Sequence, residues 1–362
     1  MALVGKASEP AVPLPGLRRV SSGSSRVRLW FDGPLRQEAR LLLESPGRLS
    51  ASFRVPSGVS DFVAPGLPAG TRFAGCLTGG ERPLRFSAST LGATGAFEYT
   101  LELRPGARSH LTVDGCVWSL ARTAQNKELT ARDGRLVFAW TELAGEGEGV
   151  HALQSEDDGD TWEVPSEVYR SPVMVSLWEP RILPDRVRVT WSITASPREA
   201  WAMEQPFPSG AWTGPRRAVE PARPEQKPPG IDVLECESAV LGRAKAIASG
   251  AGGRLRVWVE ENGRVSPPCT IPIEPGCDLR SYALIAGGGR FLIGMLSTAI
   301  LEGRMELFES ADGRQWRKIG WTENTFRGLG VPKNLRIALV GHRLVLLLTR
   351  GGTQLAAIRI PF

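Results

Sequence analysis

The sequence predicts an all-β protein folded as a β-propeller, and three observations carry that prediction. Glycine (41) and proline (28) are plentiful among 362 residues, and no stretch keeps a helical period. Short apolar runs punctuated by turn residues therefore read as strands. Such runs recur, beginning near Leu84, Arg135, Arg186, Ala244, Arg290 and His342, 46 to 58 residues apart. Turn glycines keep the same rhythm at Gly106, Gly159, Gly210, Gly263 and Gly313, 50 to 53 residues apart. Units of about fifty residues, each a small antiparallel sheet, protect their edges best when repeated radially.

The elements follow in chain order. Residues 1–25 contain the run AVPLPGLRRVSSGSS and lack the apolar core of a secretion signal, so they read as an extended arm. Residues 26–92 are a β region with two readings. Its hairpin 38–55, turning at Pro46-Gly47, supplies the outer strands that the last unit lacks, because 342–349 and 353–360 are only two strands. Alternatively, strands at 26–32, 39–44, 48–55, 62–67, 71–77 and 84–90 resemble a fibronectin type III-like sandwich. Residues 93–362 are the propeller. Six blades are favoured, with five or seven also fitting the spacing.

Composition narrows the function classes. The net charge is +6, but arginine outnumbers lysine 38 to 6 and the arginines are scattered. No dense basic run of the kind that neutralises phosphates is present, which argues against specific nucleic-acid binding. Nothing approaches the ~18 apolar residues of a membrane span. Cys76, Cys116, Cys236, Cys269 and Cys277 are odd in number and lack a CxxC pair, and only His110, His151 and His342 could join them. No metal site and no cofactor are expected from that inventory.

Two turns carry a specific motif. Ser155-Glu156-Asp157-Asp158-Gly159-Asp160-Thr161-Trp162 fits S-x-D-x-G-x-T-W at every defined position, and Ser310-Ala311-Asp312-Gly313-Arg314-Gln315-Trp316 is a shorter form. Degenerate copies lie in phase at 208–212 and 261–263. Ser and Asp side chains can bond to the backbone of their own turn, Gly takes the positive φ, and Trp covers the hairpin. These turns resemble the Asp boxes (BNR repeats) of the sialidase-like β-propellers. The resemblance implies a structural role on the propeller rim for Ser155, Asp157, Gly159, Thr161, Trp162, Ser310, Asp312, Gly313 and Trp316.

Sialidases add an arginine triad, an aspartic acid/base and a Tyr–Glu nucleophile pair to that scaffold. Phe53-Arg54-Val55-Pro56 resembles the motif of the first arginine, and Glu237 and Tyr282 resemble the nucleophile pair. An acid/base aspartate is not recognisable. Independently, residues entering innermost strands line propeller pockets. In this phase they are Lys127, Glu179, Glu237, Tyr282 and Asn334, with Arg280 beside them. Glu179 and Glu237 are also candidates for the carboxylate pair of glycoside hydrolysis. The leading expectation is a non-catalytic recognition or structural propeller that binds a partner protein or a glycan through Glu179, Glu237, Arg280, Tyr282 and Asn334. It would be extracellular or part of a phage-like particle. The alternative is an exo-sialidase-like glycoside hydrolase.

Overall fold

A computed structural model describes residues 14–46, 50–93, 97–104, 107–113, 115–120, 124–143, 147–178, 180–207, 211–218, 237–251, 254–299, 302–322, 332–350 and 353–362. Among them the regular structure is entirely β. The chain divides into two compact units, residues 1–93 with 161–164, and residues 94–160 with 165–362.

In the first unit, Leu17–Ser22, Val27–Phe31 and Asp61–Ala64 form one sheet, and Ala51–Val55, Ala39–Glu44, Arg72–Thr78 and Leu84–Ser89 form another, each in that order. Alternation decides which side is buried. Val27, Leu29 and Phe31 point inward with Ala39, Leu41 and Leu43, and meet Val55, Phe73 and Leu77 in one core. Residues 161–164 belong to this unit. Ser22 and Trp162 exchange two backbone hydrogen bonds of 2.9 Å. The Ser21 and Thr161 hydroxyls lie 2.7 Å apart, and Arg19 holds Glu163 at 2.9 Å.

The second unit is a β-propeller with five sheets among the described residues, one fewer than the favoured number. Blade one is Ala124–Arg132, Arg135–Leu143, Glu148–Ser155 and Ser166–Ser171. Blade two opens with the short strands Val175–Leu177 and Arg181–Ile182 and continues through Arg186–Ile193, Ser196–Pro206 and Arg216–Ala218. Blade three is Glu237–Leu241, Ala244–Ala251 and Arg254–Glu261, with Arg264–Val265 and Cys269–Pro272 on its outer side. Blade four is Asp278–Gly287, Arg290–Ala299, Glu302–Ser310 and Arg317–Thr322, extended outward by the hairpin of Phe97–Arg104 and Ala107–Val113. Blade five is Pro332–Val340, Arg343–Arg350, Gln354–Pro361 and Gly115–Ser119.

That last pairing corrects the expected closure. The hairpin 38–55 lies within the two-sheet unit, and Gly115–Ser119 completes the final blade, with Cys116 opposite Ala357 and Trp118 opposite Leu355. The phase also shifts by one strand. The conspicuous apolar runs from Arg135, Arg186, Ala244 and Arg290, and the run after His342, are second strands, while Leu84 belongs to the two-sheet unit. The second strand of blade one is covered on both faces and reads as a continuous apolar run, with 136–142 buried throughout, while that of blade two alternates. First strands are more polar and partly accessible, as in Ala124–Arg132.

Neighbouring blades share cores. Val137, Val150, Val187 and Trp191 join blades one and two, Ala248, Val257, Phe291 and Met295 join three and four, and Leu292, Leu307, Leu346 and Ile358 join four and five.

Both full motif turns fold by the same local bonding. The Ser155 hydroxyl donates to Asp157 at 2.9 Å and accepts the Gly159 amide at 3.0 Å. The Ser310 hydroxyl likewise donates to Asp312 at 3.0 Å and accepts the Gly313 amide at 2.8 Å. Gly159 and Gly313 sit at φ +78° and +74°, where glycine is preferred. Trp316 covers its own hairpin, donating from Nε1 to the Gly313 carbonyl at 2.9 Å. Trp162 is fully buried and pairs through its backbone with Ser22 in the two-sheet unit. Trp316 also packs on the core shared by blades three and four, whereas Trp162 belongs to the two-sheet unit. Position 210 lies outside the described residues, while Asn262-Gly263 forms a positive-φ hairpin turn.

Candidate functional site at the first strands

The first strands interrupt their ladders at a common level. In blade one Gln125 pairs with Thr141 and Glu128 with Ala139, so Asn126 and Lys127 bulge out. In blade four Leu279 pairs with Ser297 and Ser281 with Leu296, leaving Arg280 as the extra residue. In blade five Lys333 pairs with Thr349 and Arg336 with Leu347, leaving Asn334 and Leu335. In blade two the ladder is interrupted between the strands Val175–Leu177 and Arg181–Ile182, where the Trp178 amide still donates to Thr190 at 2.9 Å, and in blade three Glu237, the first described residue of its strand, pairs with Ala248. Bulges re-aim side chains and recur beside functional sites.

Behind these interruptions each second strand carries a buried hydroxyl in one layer, Thr141, Ser192, Ser249, Ser297 and Thr349. Two of them serve groups of first strands or their breaks. Asn126 donates to Thr141 at 3.3 Å and to the Val175 carbonyl at 3.2 Å, and Trp178 donates to Ser192 at 3.3 Å. This layer was legible in the sequence, as a Ser or Thr six or seven residues after Arg135, Arg186, Arg243, Arg290 and Arg343, but the sequence reading did not use it.

One guanidinium ties three blades together. Arg336 donates from Nε to the Lys127 carbonyl at 2.8 Å, and its Nη1 lies 3.3 Å from Oε1 of Glu237. The same Nη1 reaches the carbonyl of Leu335 at 3.2 Å. Lys127 is buried. That burial, reinforced by the Arg336 charge, lowers its ammonium pKa to about 8. Arg336 thus holds the Glu237 carboxylate and the Lys127 backbone together, with its charge also felt by the Lys127 ammonium, and Arg336 was not among the residues expected from the sequence.

The other expected residues are placed as follows. Tyr282 lies on the first strand of blade four and packs on the core shared with blade three. A Cβ at Gly250 would come 3.1 Å from its Cε1, so this glycine makes room for the ring. Arg280 turns back to its own sheet, bonding Thr298 at 2.8 Å with Asp278 at 3.6 Å. Asn334 lies at the bulge of blade five, with its side chain outside the described structure. Glu179 falls in the break of blade two and lies outside the described residues. Arg54 is corrected: it sits in the two-sheet unit, largely exposed and paired with Glu38 at 2.5 Å, because the match to the arginine motif falls on an ordinary outer strand. Among the described residues, no group of three His, Cys, Asp or Glu side chains gathers to hold a metal ion.

No family model matches the chain, and no curated relative matches it. Solved structures do. The catalytic domain of a Coprinopsis cinerea GH62 α-L-arabinofuranosidase is similar at 10% identity, covering 73% of this chain and 97% of that one, with a TM-score of 0.37. A GH43_1 enzyme from Xanthomonas citri is similar at 12% identity, covering 68% and 89%, with a TM-score of 0.37. The endosialidase of phage phi92 is similar at 15% identity, covering 72% and 57%, with a TM-score of 0.36. The leading functional expectation, a non-catalytic recognition or particle protein, is corrected and not carried further: these similar structures are named as glycoside hydrolases and an endosialidase.

Proposed function

We propose that the chain is a glycoside hydrolase whose active site is the cluster at the first strands. The observation that carries this reading is the interruption of the first-strand ladders of blades one and five, where Arg336 holds the Glu237 carboxylate and the Lys127 carbonyl. A carboxylate held by a guanidinium favours its ionised form and suits a base or nucleophile better than an acid. In this reading Glu237 takes a proton from water as the water oxygen bonds to the anomeric carbon, the bond to the leaving oxygen breaks, and that oxygen takes its proton from Glu179, the other carboxyl expected from the sequence. Lys127 and Arg336 favour a sugar bearing a negative charge.

The test is release of 4-methylumbelliferone from a panel of aryl glycosides that includes a sialoside, a glucuronide, an arabinofuranoside and a xyloside. Turnover that is lost in Glu237→Gln and Glu179→Gln supports the reading. Tyr282→Phe separates the two chemistries, because a tyrosine nucleophile would be lost while a carboxylate pair would persist. Absence of turnover across the panel overturns it.

A further inference from the structure

Blade two has an unusual second face. Its strand Arg186–Ile193 alternates, sending Val187, Val189 and Trp191 into the core shared with blade one and Arg186, Arg188 and Thr190 to the other side. Register brings more charge to that side: Arg188 lies opposite both Arg181 and Glu204, Thr190 opposite Ala202, and Ala202 opposite Arg216. The result is a groove of about 450 Å³ lined by Arg181, Arg186, Arg188, Arg216 and Arg217, with Glu204 as its one carboxylate. Glu204 is already engaged, by Arg186 at 3.1 Å and by Arg188 Nε at 2.6 Å. It fixes two guanidinium groups in place; Asp185 also holds Arg186, and Glu199 lies 3.7 Å from Arg217, so the excess positive charge of the lining rests on Arg181 and Arg216. Arg186 spends Nε and Nη2 on Asp185 and Nη1 on Glu204, while Arg188 remains 41% exposed beside Arg181 and Arg216.

From this geometry we infer that the groove is a second binding site, separate from the first-strand cluster, for an acidic oligosaccharide carrying carboxylate or sulfate groups. Guanidinium forks match such oxyanions bidentately, and several aligned on one strand face suit charges spaced along a chain. Among the described residues the lining contains no aromatic ring on which a base could stack, which disfavours single-stranded nucleic acid. That the ligand is a sugar rests on the proposed function; that it is a multivalent oxyanion rests on the groove alone.

Calorimetry on the full chain carrying Glu237→Gln tests the inference without turnover. The probes are tetragalacturonate for carboxylate, a sulfated heparin tetrasaccharide for sulfate, cellotetraose as a neutral sugar, and a dT oligomer. Saturable binding of either acidic sugar is expected, weakened at least tenfold by Arg181→Gln with Arg216→Gln and less steep in salt, with an unchanged melting temperature. Whichever acidic probe binds names the group recognised. Binding that survives the double substitution, equal binding of cellotetraose or the dT oligomer, or no binding of either acidic sugar overturns the site. An enzyme that hydrolyses glycosides yet shows no such binding overturns this inference and leaves the proposed function standing.

Discussion

Arg336 of the last blade lies 3.3 Å from Glu237 of the third, and its Nε also grips the Lys127 carbonyl of the first. These three residues are spread over more than 200 positions of sequence, and one side chain orients them all. Arg336→Ala is expected to lower kcat/KM by about 100-fold, because Glu237 then loses its orientation as well as its counter-charge. Arg336→Lys should not restore activity, since one ammonium cannot serve a carbonyl and a carboxylate in the fork geometry of arginine. Steady-state kinetics on the responsive aryl glycoside, with a melting curve for each variant, checks both.

Lys127 gives the site a pH limb. Its folded pKa of about 8 lies below the ordinary lysine value, so the cluster loses a positive charge as pH rises through 8. KM for an anionic glycoside should climb across that interval, and Lys127→Met should abolish the climb. Stability moves the other way. Between pH 8 and about 10.4 the unfolded chain binds this proton and the folded chain does not, so this residue's contribution makes the protein more stable as pH rises. A KM that stays flat in the native enzyme from pH 7 to 9 would refute the assignment.

The shorter motif turn offers a stability test away from the site. Hydrogen bonds from the Gln315 and Arg314 amides and the Ser310 hydroxyl hold the Asp312 carboxyl below its usual range. Asp312→Ala should cost about 1 kcal/mol, discounted for its exposure. The contribution is present above the unfolded pKa and fades as pH falls through the depressed folded value. Urea titrations at pH 7 and pH 3 should show the difference between native protein and variant shrinking in acid.

Gly250 tests whether Tyr282 takes part in chemistry. A methyl group there would meet the Tyr282 ring at 3.1 Å and Leu279 Cδ2 at 2.5 Å. Gly250→Ala is therefore expected to move the ring, at about 1–3 kcal/mol of stability. If tyrosine is the nucleophile, kcat should fall with Gly250→Ala as it does with Tyr282→Phe. If the carboxylates act alone, kcat should change little in either variant.

Much of the architecture was readable from residue order alone. Alternation in Val27–Phe31 and the continuous apolar run 136–142 mark half-buried and fully buried strands, and Ser310 to Trp316 encode their own turn through contacts at most four residues apart. The positions entering the innermost strands, Lys127 and Glu237 among them, were found by phase even though the strand taken as first was the second. Local chemistry determined these features because their partners are sequence neighbours. The tertiary structure alone decided that Gly115–Ser119 and not the hairpin 38–55 closes the last blade, that Trp162 pairs with Ser22, and that Arg336 meets Glu237. Each joins residues about a hundred or more positions apart. Such pairings are selected by which blade faces meet in the folded chain, and no periodicity along the sequence specifies them.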